Sequence, residues 1–328
     1  MAALWLSFFL PVTFIFPAQF IFRGSMYRLI GRILLCFSAT LTISLLLLPP
    51  GNGTQSLSGT ELSKRLYQLT PLEINALIKN VIEGYGPTTE KIAVYSGLAL
   101  GTPYARDCLG EGTEGRYDKD PLIDFTRVDC LTFCEQILAL AISKDYEDTL
   151  KNLQKIRYQN GTISFHTRNH FVIADWIIHN QWLLKNTTKE HCGTLCKEMI
   201  KTIDRRTFAA SRGCADTNSF PPAETVGIHY LPKQHLLSRA SGLKGSEMMV
   251  LITTREGIFA SHLGFIVKVN DGSLAFRHAS SIHNKVIDEP FTQLYRRILK
   301  DEYISGLVFL SIRDHFTIPP AQIIDKPQ

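Results

Sequence analysis

Apolar positions along this chain change their spacing twice, and the changes divide it into three parts. Ala2 to Phe22 and Ile33 to Leu48 are mostly apolar runs without a clear period. From about residue 60 the spacing becomes helical. A helix is predicted to start after Thr60, and a better-signalled one after Thr70, where Thr70-Pro71-Leu72-Glu73 offers an N-cap, a proline at the first helical position and a glutamate at the third. Its apolar set is Leu72, Ile74, Ile78, Val81 and Ile82, and it stops at Gly84. Further helices are predicted over Glu90 to Leu100, from Cys130 through Leu140, over Asp145 to Tyr158, over His170 to Leu184 and over Lys197 to Ile203. Gly101-Thr102-Pro103-Tyr104 is a turn, and residues 105–124 and Ser211 to Pro222 are loops. The final third has period two: Met248 to Thr253, His262 to Val269, Ser273 to His278 and Gly306 to Ile312 are strands. Asn270-Asp271-Gly272 joins the second and third of these as a hairpin. Helices first and an antiparallel sheet afterwards predict an α+β fold.

The apolar beginning changes how the rest is interpreted. Arg28 and Arg32 precede the second run and Pro49-Pro50-Gly51 follows it, which is the pattern of a secretory signal. Met26 opens that pattern well enough to be an alternative start. From Met1, the two runs would instead suit a membrane anchor near the lower length limit for spanning. The expected organisation is a signal or anchor region over 1–50 and one exported domain over 51–328, carrying an insert around 145–246. In the periplasm or cell envelope, disulfides can form. Cys36 lies in the signal-like run, leaving Cys108, Cys130, Cys134, Cys192, Cys196 and Cys214; pairings of Cys192 or Cys196 with Cys108 or Cys214 are open. A zinc site from His191, Cys192 and Cys196 lacks a second ligand pair. With 35 Lys+Arg against 30 Asp+Glu and no basic cluster interleaved with aromatics, the sequence excludes a nucleic-acid partner.

The chemistry concentrates where a polar loop turns into the apolar helix at Asp129-Cys130-Leu131. A thiol in a first turn faces unpaired backbone N–H groups and the positive end of the helix dipole, a setting that favours the thiolate. The competing reading is a small buried hydrophobe. A cysteine nucleophile needs a base and a group to orient that base. The predicted hairpin supplies two histidines, His262 near the start of one strand and His278 near the end of the next, and antiparallel pairing brings them to the same end and face.

Four stretches in order carry a resemblance: Gly101-Thr102-Pro103-Tyr104, Asp129-Cys130-Leu131-Thr132-Phe133-Cys134-Glu135, Ser261-His262-Leu263-Gly264-Phe265-Ile266-Val267 and Arg277-His278-Ala279-Ser280-Ser281. They resemble the motifs of NlpC-type, papain-like cell-wall cysteine peptidases. The closer likeness is to the N-acetylmuramoyl-L-alanine amidase-like family, which Arg168-Asn169-His170-Phe171 and Asp175-Trp176 also resemble. The resemblance implies Cys130 as nucleophile, His262 as base and His278 as its orienter. It implies Tyr104, Asp129 and Ser261 as residues lining the site for a stem peptide. Arg168, with its planar fork, suits a substrate carboxylate, and His170 either assists or packs. The reading is a hydrolase of peptidoglycan or muropeptides, without metal or organic cofactor. The bond to L-alanine, the bond between D-glutamate and the diamino acid, acyl transfer on the same fold, and a non-catalytic peptidoglycan-binding module all remain open, as does the oligomeric state.

Overall fold

The computed structural model describes residues 64–320. The predicted signal or anchor and the alternative start at Met26 lie outside these residues; of the helix expected after Thr60, the described part, from residue 64, holds a single 3-10 turn over Leu66–Gln68. Among the described residues the helices are α1 (Pro71–Gly84), α2 (Thr88–Leu98), α3 (Cys130–Ile142), α4 (Tyr146–Arg157), α5 (Ile177–His179), α6 (Thr188–Cys192), α7 (Arg205–Ser211), α8 (Leu236–Arg239) and α9 (Phe291–Lys300). The strands are β1 (Leu184–Asn186), β2 (Lys197–Ile203), β3 (Glu224–Pro232), β4 (Met248–Thr253), β5 (Ala260–Lys268), β6 (Leu274–Ser280), β7 (Lys285–Pro290) and β8 (Ile304–Ile312). None of the described helices is long and apolar enough to cross a membrane. The α+β class holds.

Helix α1 starts as its sequence requires. The Thr70 hydroxyl accepts from the Glu73 N–H and the Glu73 carboxylate accepts from the Thr70 N–H, a reciprocal cap. Only Ile74, Ile78 and Val81 of its apolar set are buried; Leu72 is 79% exposed. Helix α3 is different, because every residue from Thr132 to Ala141 is buried. It is the central helix, packed against α2 and α4 on one side and against β5 and β6 on the other. Such a helix must be apolar almost all round, as Phe133, Ile137, Leu138 and Leu140 make it. Its three buried polar side chains are matched: the Thr132 hydroxyl accepts from the Asp129 N–H, Glu135 pairs with Arg157 of α4, and Gln136 donates to the Asp124 carbonyl.

The sheet runs β2-β3-β8-β4-β5-β6-β7 with every neighbour antiparallel, and β1 also pairs with β8. Alternation divides its two faces. Val250, Leu263, Phe265, Val267 and Val308 face α3, with Phe133 meeting Phe265 edge-on at 5.6 Å. Met249, Leu251, Ile266, Phe276, Leu307 and Phe309 face the other way, where Phe291, Leu294 and Ile298 of α9 cover them. The predicted hairpin closes with paired Val269 and Ser273 and with Gly272 at φ +79°.

Three expectations need correction. Lys197 to Ile203 is strand β2, not helix, paired along its whole length with β3. Its buried residues, Lys201 and Ile203, follow a period of two that the mixed Lys/Glu/Met composition concealed. His170 to Leu184 is not one helix. Val172–Trp176 winds as a π-turn, α5 adds three residues, and Leu184 already belongs to β1. The wide turn brings the Asp175 carboxylate back to the Phe171 N–H, where Arg205 of α7 holds it by two hydrogen bonds. Finally, Cys192 and Cys196 pair with each other, Cα to Cα 5.1 Å, while Cys108, Cys130, Cys134 and Cys214 are free thiols. The disulfide occupies both sulfurs of the weighed zinc site. No group of three or more His, Cys, Asp or Glu among the described residues is placed to hold a metal.

Candidate active site

Asp129 is the N-cap of α3 and Cys130 its first residue. The Asp129 carboxylate accepts from the N–H of Leu131 at 3.0 Å and of Thr132 at 2.8 Å, and the Thr132 hydroxyl accepts from the Asp129 N–H at 2.9 Å. A cap of this kind stabilises a helix by about 1 kcal/mol. It also changes the electrostatics expected from the helix end. Burial pushes the Cys130 thiol up to about 12, and the neighbouring Asp129 charge adds to the effect. Backbone N–H groups of Leu263, Leu131 and Cys130 itself act against this, without overcoming it. Burial first, and then the Asp129 charge of the wrong sign, thus favour the neutral thiol over the expected thiolate.

The Leu263 N–H places the thiol at the beginning of β5. Strand β5 is irregular there: Leu251 pairs with His262 and Ile252 with Ala260, so Ser261 is an extra residue in a bulge. The exposed Ser261 hydroxyl donates to the Leu251 carbonyl at 3.2 Å. Beyond the bulge, His262 and His278 meet as the hairpin predicts, His262 Nε2 to His278 Nδ1 at 2.6 Å with the rings perpendicular. Gly264 makes this approach feasible. A Cβ at that position would sit 2.5 Å from the Arg277 carbonyl and 2.8 Å from His278 Cβ.

Both imidazoles lie over Phe276, on the α9 side of the sheet. They line a cavity of about 330 Å³ with Ser280, His283, Glu289 and Arg297. Burial, with the His278 and Arg297 charges, holds the His262 imidazole down at about 3. Among the described residues no hydrogen bond joins the Cys130 thiol to either ring; the thiol packs against the α3-side core, one residue along β5 from His262. The structure thus brings the two histidines together, and brings the thiol to their strand but not to their rings.

Tyr104 belongs to a segment that the sequence marked as a turn. Gly101 to Tyr104 instead runs along the edge of β7: the N–H groups of Gly101, Val286 and Tyr104 reach the carbonyls of Val286, Thr102 and Asn284. Tyr104 then bridges to Val128, two residues ahead of Cys130. Burial first, and then the nearness of Cys130 and Asp129, raise the Tyr104 phenol above its usual range. Arg168 lies further out. One end of its guanidinium is on Asp118 and the other on the Leu109 carbonyl, so it ties down the 105–124 loop, which Arg157 and Tyr158 also hold. His170 hydrogen-bonds the Phe165 carbonyl at 2.8 Å, and burial lowers its imidazole to about 4. Arg168 and His170 line two cavities. One, of about 190 Å³, also touches Asp129 and Thr132 beside Cys130; the other, of about 520 Å³, runs along Phe220 and Arg205.

Two residues of the histidine cavity escaped the sequence reading. Glu289 ends β7 and Arg297 lies on α9, two elements not anticipated. The available signal was Phe291, Leu294 and Ile298, spaced for one helical face after Pro290.

A family model described as AmiA-like, N-acetylmuramoyl-L-alanine amidase-like, matches residues 94–301. No curated protein matches the chain. Among solved structures, a Legionella pneumophila protein of the DUF1460 family model is 23% identical with a TM-score of 0.67, over 76% of this chain and 96% of its own. An N-acetylmuramoyl-L-alanine amidase from Bacteroides uniformis is 22% identical with a TM-score of 0.57, over 69% and 99%. A Bacteroides fragilis protein provisionally named a xylanase is 26% identical with a TM-score of 0.55, over 66% and 99%. The first two likenesses, below 25% identity, concern the fold.

Proposed function

This chain belongs to the N-acetylmuramoyl-L-alanine amidase-like family, and from that premise we propose that it is a papain-type cysteine amidase. It hydrolyses the amide between N-acetylmuramic acid and L-alanine in peptidoglycan or its muropeptide fragments. The observation that carries the reading is Cys130 at the first position of α3, with its thiol at the Leu263 N–H and the adjacent His262 hydrogen-bonded to His278.

The chemistry follows from the protonation states. Thiol and imidazole are both neutral, one held up at about 12 and the other down at about 3. Attack is therefore general-base-assisted and does not start from a stored ion pair. His262 takes the Cys130 proton as sulfur bonds to the carbonyl carbon. The N–H of Cys130 helps hold the oxyanion. His262 then gives the proton to the departing L-alanine amine, and water, deprotonated by the same imidazole, hydrolyses the thioester and frees the thiol. No hydrogen bond joins the Cys130 thiol to the His262 ring among the described residues, so a side-chain adjustment at one of them closes that gap before the first proton transfer.

Mass spectrometry of muropeptides incubated with the protein tests the reading, with free stem peptide beginning at L-alanine as the expected product. A product cut after D-glutamate would move the bond, and a transferred acyl group would make the enzyme a transferase. Full activity in Cys130→Ala would overturn the mechanism, and binding without turnover by the wild type would make the chain a binding module. We also propose that the catalytic part, residues 51–328, is exported to the periplasm or cell envelope. A reporter fused after residue 55 and found in the cytoplasm would refute that.

A further inference from the structure

The histidine pair does not end at His278. Glu289 and Phe276 are register partners across β6 and β7, so the Glu289 side chain emerges diagonally beside His278 on the same face. Its Oε2 lies 3.4 Å from His278 Nε2, at ion-pair distance but outside good hydrogen-bond alignment. Arg297 grips the same carboxylate in bidentate fashion, Nε to Oε1 and a terminal nitrogen to Oε2, both 2.8 Å. The order in space is His262, His278, Glu289, Arg297, all lining one cavity.

With a neutral His278 the donors and acceptors in this row have one consistent arrangement. Arg297 is always a donor, and an ionised carboxylate only accepts. Burial of Glu289 pushes its carboxyl up, but the hydrogen bonds and charges of Arg297 and His278 outweigh this and hold it down at about 2. A carboxylate facing His278 Nε2 calls for the hydrogen on that nitrogen. In the neutral ring, His278 Nδ1 is then bare and accepts from His262 Nε2, 2.6 Å away. His262 is left with its lone pair on Nδ1.

The geometry points to Glu289 as a positioning residue, clamped by Arg297, that fixes through His278 which nitrogen of His262 carries the proton. The inference rests on His262 being the base of the proposed hydrolysis. Glu289 touches no reacting atom. It acts by keeping Nδ1 of His262 free to take a proton.

Glu289→Gln tests this in the full chain. Arg297 can bond only to the amide oxygen, which turns the amide NH₂ toward His278. A donor there reverses the row: His278 Nε2 becomes the acceptor, His278 Nδ1 the donor, and His262 carries its hydrogen on Nδ1. The expected result is a fall in kcat of about ten-thousandfold, the scale of a wrong-tautomer base, with KM for a muropeptide little changed. Ring ¹⁵N shifts of labelled histidine should show His262 protonated at Nε2 in the wild type and at Nδ1 in the variant. A purely structural role would lower the unfolding midpoint without moving the tautomer. The proposal is overturned if Glu289→Gln keeps kcat within threefold, or if wild-type His262 carries its hydrogen on Nδ1; the latter measurement needs no variant to fold. His262→Ala, assayed alongside, separates the two readings. Full activity there removes His262 as base, whereas activity lost in His262→Ala and kept in Glu289→Gln overturns only the role of Glu289.

Discussion

Asp129 and Cys130 occupy one helix terminus with opposed electrical consequences: the carboxylate takes the amides of Leu131 and Thr132, and its charge then raises the adjacent thiol. Asparagine caps helices as well as aspartate does, so Asp129→Asn removes the charge and keeps the cap. The Cys130 pKa should fall. Iodoacetamide should alkylate Cys130 about tenfold faster near pH 8 in this variant, one pKa unit of relief, with Cys130→Ala as the blank. An unchanged rate would mean that burial alone protects the thiol.

Gly264 leaves no room for a side chain between β5 and β6. Gly264→Ala drives a methyl against the Arg277 carbonyl and His278 Cβ, which should cost about 3 kcal/mol in denaturant unfolding, at the upper end for overpacking. It should also part the histidines and depress kcat beyond what partial unfolding explains. A variant as stable and as active as the wild type would show that the strands can separate freely.

Lys201 of β2 is buried, and its ammonium donates to the carbonyls of Thr253, Arg255 and Ile258. These carbonyls belong to the β4–β5 turn that leads into Ser261 and His262. Lys201→Met leaves three acceptors without that donor and should cost about 2–3 kcal/mol. The loosened turn should also lower kcat. Stability lost with kcat intact would confine the lysine to a structural role.

Protonation of two half-buried histidines links stability to pH. Burial, first among the causes, holds His262 at about 3 and His170 at about 4 in the folded chain, against roughly 6.5 when unfolded. Between these values the unfolded chain binds protons that the folded chain refuses, so stability rises with pH from about 3 to about 6.5 and is complete above that. The denaturant midpoint should be lower near pH 5 than near pH 7, and His170→Phe should remove part of the difference. Equal midpoints at the two pH values would place both rings in contact with water.

Local chemistry made much of this legible beforehand. Thr70-Pro71-Leu72-Glu73 and Asp129-Cys130 announced two helix starts because caps are made by side chains adjacent in sequence. His262 and His278 could be paired because a hairpin fixes its own register. What stayed hidden depends on distant partners. Lys197–Ile203 became a strand because β3 was there to pair with it. Arg168 is engaged by Asp118, fifty residues away. The Leu263 N–H that meets the thiol is a backbone group, for which no residue type is a signature. Glu289 acquires meaning only once β7 lies beside β6 and α9 folds back over both.

Strand β8 lies between β3 and β4. As the ribosome delivers the chain, the meander from β4 to β7 can assemble with both histidines in place, and so can the β2–β3 hairpin, yet the two halves share no strand pairing until residues 304–312 emerge. A polypeptide interrupted between α9 and Ile304 would therefore carry Cys130, His262, His278, Glu289 and Arg297 and still lack the strand that pairs with both β3 and β4.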